Sequence, residues 1–318
     1  MTSTAVANGS FPDLRKFQDP AVTADGEPRA HVALRQLDTL WFCTGTLCNL
    51  ACRNCYIESS PRNDSLVYIS TEEVAAYLDE IERDGLGTRT IGFTGGEPFM
   101  NPYMIAILED TLSRGFRALV LTNAMKPMMK RADGLLDLQQ RFGDRLTVRV
   151  SIDHYSRRLH EDERGPKSWA PTVRGLHWLT RHGFHVDIAG RLFSGETDEQ
   201  MRSGYAALFQ RENINLDAHD PACVVLFPEM DASADVPEIT EACWSKLGTS
   251  PDDQMCASSR MVIKRKGADR PVVMPCTLLP YDPQFELGHT LAESFQSVAL
   301  NHPHCAKFCV LGGASCGG

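Results

Sequence analysis

Strand-like runs alternate with helical patterns from residue 39 onward, and this alternation restricts the fold more than any other feature of the sequence. The six runs are Thr39–Thr44, Thr90–Thr94, Ala118–Thr122, Leu146–Ile152, His185–Phe193 and Cys223–Phe227. Strands that are separated by helices run parallel, because each helix carries the chain back to the edge where the previous strand began. The sequence therefore predicts an α/β fold with a parallel sheet of six βα units. A closed TIM barrel needs eight such units, and the alternation stops after about Asp231.

Two of the connecting helices have clear boundaries in the sequence. The first begins at Ser70, where Glu73 completes a capping box, and it ends at Gly85. Another begins at Thr197, which pairs with Gln200 in a second capping box. These boundaries define helices between the strand-like runs, as a parallel sheet requires.

Length, charge and cysteine content limit the classes of protein to which the chain can belong. Its 318 residues suffice for one large α/β domain and a small appended one. The net charge of −9 disfavours nucleic acid or an anionic membrane surface as the main partner. No apolar run approaches the ~18–20 residues of a membrane span, and the N-terminus lacks the pattern of a signal peptide. Eleven cysteines in a protein that is not exported favour metal binding over disulfides, so we expect a cytoplasmic protein.

Cys48, Cys52 and Cys55 are spaced as C-x3-C-x2-C and are followed by Tyr56. Three thiolates this close in sequence suit a metal cluster better than three disulfide partners. A cluster of four irons needs a fourth ligand, and no further cysteine follows until Cys223. The remaining iron would be an open coordination site, and open sites support chemistry. A zinc site that lacks one ligand, or three buried thiols, is the alternative.

The cysteine motif, the aromatic Tyr56 and the run Gly95-Gly96-Glu97-Pro98 after the second strand resemble the radical S-adenosylmethionine (SAM) superfamily. The resemblance implies that the three cysteines hold a [4Fe–4S] cluster, whose fourth iron is chelated by the amino and carboxylate groups of SAM. An electron from the cluster would cleave SAM to methionine and a 5′-deoxyadenosyl radical. That radical would abstract a hydrogen atom from the substrate.

The resemblance also implies a domain organisation. Residues 38–230 would form a partial (β/α)6 TIM-like barrel. Residues 1–37 are polar without a clear period, so we expect an arm that is partly ordered at best. Residues 231–318 lose the alternation of strands and helices and are rich in cysteine, which predicts a small C-terminal domain.

Nine residues at the mouth of the barrel are expected, by the same resemblance, to bind SAM. They are Tyr56, Gly95, Gly96, Glu97, Thr122, Asn123, Ser151, Asp153 and Arg164. The glycine pair and the glutamate would receive the amino group of SAM, because a backbone without Cβ atoms lets a ligand approach. Arg164 would pair with the carboxylate, and Tyr56 would lie beside the adenine. Ser151 and Arg164 could instead be ordinary loop residues, and Asp153 could be a helix cap.

Five cysteines follow residue 250, namely Cys256, Cys276, Cys305, Cys309 and Cys316. Apolar segments around Lys266 predict a β-hairpin between the first two of them. The pattern resembles the SPASM and twitch extensions, which add auxiliary [4Fe–4S] clusters to radical SAM barrels. A full SPASM domain has seven cysteines, so a single twitch-like cluster fits better, with the first two cysteines and two of the last three as ligands. A four-thiolate zinc site and simple buried thiols are the alternatives.

The resemblance implies a radical SAM oxidoreductase that acts on a small molecule or a short peptide. Dehydrogenation or cross-linking would be its reaction, and a reductant such as flavodoxin or ferredoxin would supply the electron. A SPASM-type peptide maturase and a radical epimerase are the enzymatic alternatives. A non-catalytic iron–sulfur electron-transfer protein is the alternative from another class, although such a carrier has no use for a SAM pocket.

Overall fold

The computed structural model describes residues 13–229 and 235–314, which contain ten strands and eight α-helices. The strands are β1 (His31–Val32), β2 (Thr39–Cys43), β3 (Thr90–Thr94), β4 (Arg117–Thr122), β5 (Leu146–Ser151), β6 (His185–Leu192), β7 (Val224–Pro228), β8 (Ser259–Ile263), β9 (Val272–Met274) and β10 (Val298–Ala299). The helices are α1 (Thr71–Asp84), α2 (Met104–Ser113), α3 (Lys126–Met129), α4 (Ala132–Phe142), α5 (Arg157–Arg164), α6 (Trp169–Arg181), α7 (Asp198–Glu212) and α8 (Cys243–Leu247).

Eight of the strands form one open sheet in the order β7-β6-β5-β4-β3-β2-β8-β9. The strands from β2 to β7 are the six predicted from the sequence, and all of them pair in parallel. The two edge strands do not meet, so the sheet is the incomplete barrel that was expected. Its parallel strands place all their carboxyl ends at one edge, which is where chemistry is found in such folds.

The capping boxes predicted at the starts of two helices are confirmed. The Ser70 hydroxyl accepts a hydrogen bond from the Glu73 amide, and the Glu73 carboxylate accepts one from the Ser70 amide. Gly85 ends α1 in the left-handed conformation, with a φ of 60°. Thr197 and Gln200 make the same reciprocal pair of bonds at the start of α7.

Both faces of the sheet are buried, as neighbouring residues of β2 illustrate. Phe42 packs with Phe93 in the apolar layer between the sheet and the helices. Trp41 points the opposite way and packs in a second apolar cluster with residues of the C-terminal part, including Met261. A Cβ at Gly92 on the adjacent strand would lie 2.3 Å from the Trp41 ring, so only glycine leaves room for it. This double burial explains why the strands are apolar without alternation.

The hairpin predicted between Cys256 and Cys276 is confirmed, and it continues the barrel sheet. Strand β8 pairs in parallel with β2, for example Thr39 with Ser259, and β9 pairs antiparallel with β8. Sequence patterns gave no sign of this junction, because the strands that pair are more than two hundred residues apart. The boundary of a separate C-terminal domain at residue 231 stays a prediction.

Residues 13–37 are more ordered than their polar composition suggested. Strand β1 pairs with β10, and Arg29 is buried in an ion pair with Glu238. The Arg29 Nε also donates to the carbonyl of Asp19 at 2.7 Å. The described part of the expected arm is therefore packed against the C-terminal region. Some of the polar residues that hid any strand or helix periodicity in its sequence are partners in ion pairs. Residues 1–12 lie outside the described part.

Candidate active site

A cavity opens at the carboxyl ends of the parallel strands and has a volume of about 1010 Å³, counted out to its open mouth. Most of the residues that were expected to bind the cluster or SAM line it. They are Cys48, Cys52, Cys55, Tyr56, Gly95, Gly96, Asn123, Ser151, Asp153 and Arg164. Of the residues proposed for this site, only Glu97 and Thr122 lie behind the wall. The sequence motifs, which are spread over more than a hundred residues, thus meet at one place.

The loop after β2 carries the three cysteines into the cavity. The Cys48 sulfur accepts a hydrogen bond from the Leu50 amide, and the Cys55 sulfur accepts one from the Ser59 amide, both at 3.4 Å. Burial raises the pKa of Cys48 to about 12 and also raises that of Cys52. A bound metal deprotonates such thiols, and amide hydrogen bonds stabilise the thiolates that result. The three thiols therefore fit an iron–sulfur cluster.

No three histidine, cysteine or carboxylate side chains within residues 13–229 and 235–314 converge closely enough to bind a single metal ion.

Gly95 and Gly96 allow the loop after β3 to pack closely against the cysteine loop. A Cβ at Gly95 would lie 2.5 Å from the carbonyl oxygen of Gly45, and one at Gly96 would lie 2.2 Å from that of Leu47. Gly95 also has a φ of 130°, which side-chain-bearing residues rarely adopt. The glycines were expected to leave room for a ligand. The structure shows a steric reason for the glycines as well. Two backbone segments that border the cavity pass so close together that no side chain fits between them.

Glu97 is fully buried and links the loop after β3 to the end of β4. Its Oε1 accepts hydrogen bonds from the Thr122 hydroxyl at 2.8 Å and from the Phe99 amide at 3.2 Å. Its Oε2 accepts one from the Asn123 amide at 2.9 Å. Burial raises the pKa of Glu97 to about 7, and these hydrogen bonds oppose the shift. In the structure, Glu97 and Thr122 position Asn123, and direct contact of the first two with SAM stays a prediction.

Asp153 and Arg164 form a buried ion pair in the cavity wall, with 2.9 Å between Arg164 Nη2 and Asp153 Oδ1. Burial alone would raise the pKa of Asp153, but the charge and hydrogen bond of Arg164 together with the charge of Arg191 outweigh it, and the pKa is lowered. Asp153 does not cap the next helix, because Ser156 occupies the N-cap of α5. The Arg164 Nε is buried without a hydrogen-bond partner among the described residues. The Arg164 side chain itself lines the cavity, so its positive charge can attract an anionic group there.

Arg191 is a cavity residue that the sequence analysis missed. Its Nη1 donates to Glu163 Oε2 at 2.9 Å, and Asn54 Nδ2 donates to the same oxygen at 3.1 Å. The backbone amide of Arg53 also bonds to the Glu163 carbonyl at 2.7 Å. Helix α5 is thereby tied to the cysteine loop. An arginine near the carboxyl end of strand β6, the edge where the cavity lies, was the signal in the sequence that could have identified it.

Aromatic residues and the C-terminal part close the cavity on one side. Phe227, at the end of β7, stacks on Phe308 with ring centroids 5.8 Å apart. Leu278 belongs to the same wall, and Tyr56 is held by a hydroxyl contact of 3.3 Å to Thr94. The cavity is thus built from both the barrel strands and the chain that follows them.

Three of the five C-terminal cysteines come together in the second apolar cluster. Burial raises the pKa of Cys305 well above its usual range, and the nearby Cys276 and Cys256 raise it further. Cys309 is half-buried in the same cluster, one turn along a π-helical segment, Cys305–Val310. Phe308 of the cavity wall lies within that segment. Cys316 lies outside the described residues.

The sequence profile of the Radical SAM superfamily matches residues 43–204. The chain belongs to this superfamily. Its members share a [4Fe–4S] cluster and the use of SAM, in agreement with the cysteine loop and cavity described above. In the part of the chain that the structure describes, no helix has the length and apolar character to cross a bilayer.

Individual relatives agree with this assignment. The chain is 33% identical over 147 residues to the antilisterial bacteriocin subtilosin biosynthesis protein AlbA of Bacillus subtilis, covering 46% of this chain and 31% of AlbA. It is 28% identical over 172 residues to the AdoMet-dependent heme synthase of Oleidesulfovibrio alaskensis, covering 53% of this chain and 40% of that protein. The matches therefore span less than half the length of either relative.

The fold is similar to that of Streptococcus suis SuiB bound to its precursor peptide SuiA, with a TM-score of 0.60 and 12% identity. The superposition covers 83% of this chain and 66% of SuiB. It supports the partial-barrel architecture.

Glu97→Gln is expected to flatten the pH dependence of stability of the metal-free protein. Because the pKa of Glu97 is about 7 in the folded state and about 4.3 in an unfolded chain, folding takes up a proton between these values. The free energy of unfolding should therefore fall as pH rises through this window, by up to about 3 kcal/mol. Urea titrations of both proteins at about pH 5 and about pH 7 measure the difference.

Glu199→Gln, on the exposed surface of α7, is the matched control and should keep the wild-type slope. Equal slopes for the wild type and the Glu97→Gln variant would show that this carboxyl group does not titrate abnormally.

Proposed function

We propose that this protein reductively cleaves SAM in the cavity at the carboxyl ends of the strands and uses the radical to modify a peptide. The observation that carries the proposal is the meeting of three cysteine thiols with the guanidinium side chain of Arg164 in the lining of one cavity. An electron carrier without turnover needs thiolates, but it does not need a cavity with an anion-binding group beside them.

Cys48, Cys52 and Cys55 would hold the [4Fe–4S] cluster. When bound, the cluster supplies the electron that cleaves SAM, and its iron without a protein ligand gives SAM a place to bind. The chain stabilises the thiolates through the amides of Leu50 and Ser59. Flavodoxin or ferredoxin is the proposed reductant.

The cavity wall would orient SAM by its charged ends. The Arg164 guanidinium lines the cavity and is fixed by Asp153, so it would pair with a carboxylate with little further loss of side-chain freedom. Ser151 lies in the same wall and is the proposed second donor to that carboxylate, while the Gly95–Gly96 backbone would receive the amino group. Tyr56 would border the adenine. Phe227 and Phe308 form an apolar part of the wall and would shield the radical from other hydrogen donors.

We also propose a single auxiliary [4Fe–4S] cluster, held by Cys256, Cys276 and Cys305 with Cys309 or Cys316 as the fourth ligand. The three buried thiols are neighbours, and the helical turn that bears Cys305 also contributes Phe308 to the cavity wall. Such a cluster can accept an electron from a substrate radical, which would make the overall reaction an oxidation such as cross-linking.

A peptide substrate is supported by the relatives. SuiB is seen with a precursor peptide, and AlbA takes part in the biosynthesis of subtilosin. The match to a heme synthase supports a second candidate, the oxidation of a small molecule of the tetrapyrrole class.

The cysteine triad can be tested apart from the C-terminal cysteines. Changing Cys48, Cys52 and Cys55 to alanine should abolish release of 5′-deoxyadenosine, because no thiolate would remain to hold the first cluster. Chromatography of the nucleoside and iron analysis of the anaerobically reconstituted protein are the measurements. Iron should remain at the C-terminal site. Cys223→Ala, a half-buried cysteine outside both groups, should keep both the activity and all the iron.

Complete loss of iron from the triple variant would contradict the proposal of two clusters. Unchanged 5′-deoxyadenosine release from that variant would contradict the assignment of the radical-generating site.

Arg164→Lys is expected to weaken SAM binding about tenfold, because lysine keeps the charge but loses the Nε donor and the planar geometry. Calorimetric titration of the reconstituted protein with SAM measures the change. Arg157→Lys, which is exposed at the other end of α5, should bind SAM like the wild type. Equal affinity in the two variants would mean that Arg164 does not bind the carboxylate.

The substrate class is tested by offering the reduced protein SAM together with either a short peptide encoded beside its gene or an iron porphyrin. The account predicts a peptide product that has lost two hydrogen atoms, detected by mass spectrometry, and 5′-deoxyadenosine formed with the peptide. Formation of the nucleoside that depends on the porphyrin and leaves the peptide unchanged would favour the tetrapyrrole reaction instead.

A further inference from the structure

Arg260 is a fully buried cation next to the C-terminal cysteines. It lies on β8 and has no exposed surface. Its guanidinium donates to backbone carbonyls alone, those of Cys256 at 2.6 Å, Ser259 at 2.8 Å, Ser294 at 3.1 Å and Gln296 at 3.2 Å. Each of the three guanidinium nitrogens thus donates to at least one carbonyl, but carbonyls carry no net negative charge.

Other arginines with largely buried side chains are each paired with a carboxylate. The pairs are Arg29 with Glu238, Arg149 with Asp187, Arg164 with Asp153, and Arg191 with Glu163. Within residues 13–229 and 235–314, no carboxylate forms an ion pair with Arg260. A buried charge without a counter-charge is unfavourable, so the difference points to a negative group that the site receives from elsewhere.

The groups that can become negative beside Arg260 are cysteines. Cys256 lies four residues before Arg260, and its carbonyl accepts a hydrogen bond from the guanidinium at 2.6 Å. Cys276 lies in the same apolar cluster as Cys256. Burial lowers the pKa of Arg260 to about 10, and negative charge on Cys256 and Cys276 opposes that shift. The charge of Arg260 likewise opposes the increase that burial causes in the pKa of Cys256.

We propose that Arg260 is the built-in counter-charge of the auxiliary cluster and raises its reduction potential. The inference rests on the auxiliary cluster of the proposed function. A [4Fe–4S] cluster with four thiolates is an anion, and reduction by one electron adds one more negative charge to it. A buried cation stabilises the reduced form more than the oxidised form, because the attraction grows with the charge of the cluster and is weakly screened. Arg260 would thereby make the cluster a better acceptor for an electron from a substrate radical.

The test uses the full chain with Cys48, Cys52 and Cys55 changed to alanine. The first cluster cannot form in this protein, so the signal comes from the auxiliary cluster. In this background Arg260→Met removes the charge while keeping an apolar side chain of similar length. Arg260→Gln removes it while keeping an N–H donor for the Cys256 carbonyl, and it serves if the methionine variant does not fold. Arg260→Lys keeps the charge.

Midpoint potentials are measured by dye-mediated titration, with the cluster followed by paramagnetic resonance. We expect the potential to shift to more negative values in the methionine and glutamine variants and to stay near the parent value in the lysine variant. Lys266→Met is the matched control. It removes one positive charge from the same hairpin at an exposed position and should leave the potential unchanged.

If the methionine or glutamine variant contains the cluster but has the same midpoint potential as the parent protein, the role of Arg260 is overturned. The proposed function would still stand. Absence of iron from the parent protein with its three alanines would overturn both this inference and the auxiliary cluster. Release of 5′-deoxyadenosine by the wild-type protein is a separate measurement, so the two failures are distinguishable.

Discussion

The close contact between the loops after β2 and β3 is the constraint on which the candidate site depends. Gly96 approaches Leu47 so closely that any side chain would collide with its carbonyl, and the Gly96 amide donates to the carbonyl of Gly45. Glu97 extends the same contact to the end of β4 through its bonds to Thr122 and Asn123. Three neighbouring loops thereby become one rigid edge. Cysteines on a separate, mobile loop would not present a fixed set of thiolates to a cluster.

Charge balance is the second organising feature of the site. Two buried arginine–carboxylate pairs, Arg164 with Asp153 and Arg191 with Glu163, make the wall neutral in total. Each arginine still has one N–H group without a partner among the described residues. Both guanidinium side chains line the cavity, where their charge can attract an anionic group, and the carboxylates offset much of the cost of burying them. SAM carries both a carboxylate and positive charge, so a neutral wall with oriented donors suits it.

Sequence patterns predicted the local features of the molecule well. The parallel strands, the capping boxes at Ser70 and Thr197 and the hairpin between Cys256 and Cys276 each depend on neighbouring residues, and all of them are confirmed. Family resemblance then predicted residues at the carboxyl ends of four strands and in helix α5, and most of these line a single cavity. Parallel topology explains this success, because it gathers every loop that follows a strand at the same edge.

Features that depend on contacts between distant segments were not predictable. Strands β8 and β2 pair with each other, but nothing in the sequence of either strand indicates its partner. The burial of Arg29 depends on Glu238, and the role of Arg191 in the cavity depends on Glu163. The steric reason for the glycine pair likewise appears only when two loops are seen together. Motifs identify the chemistry of this protein, whereas tertiary pairing determines how its charged groups are held.

The central claim is that one iron of the first cluster binds SAM directly because the chain offers it only three thiolates. Electron–nuclear double resonance of the reduced protein, with SAM isotopically labelled in its carboxylate oxygens and its amino nitrogen, tests this claim most directly. The account predicts hyperfine coupling from both labelled groups to the cluster, and loss of both couplings when Cys52 is changed to alanine. A cluster that shows no coupling to SAM, or one whose fourth iron is bound by a protein side chain while SAM is present, would contradict it.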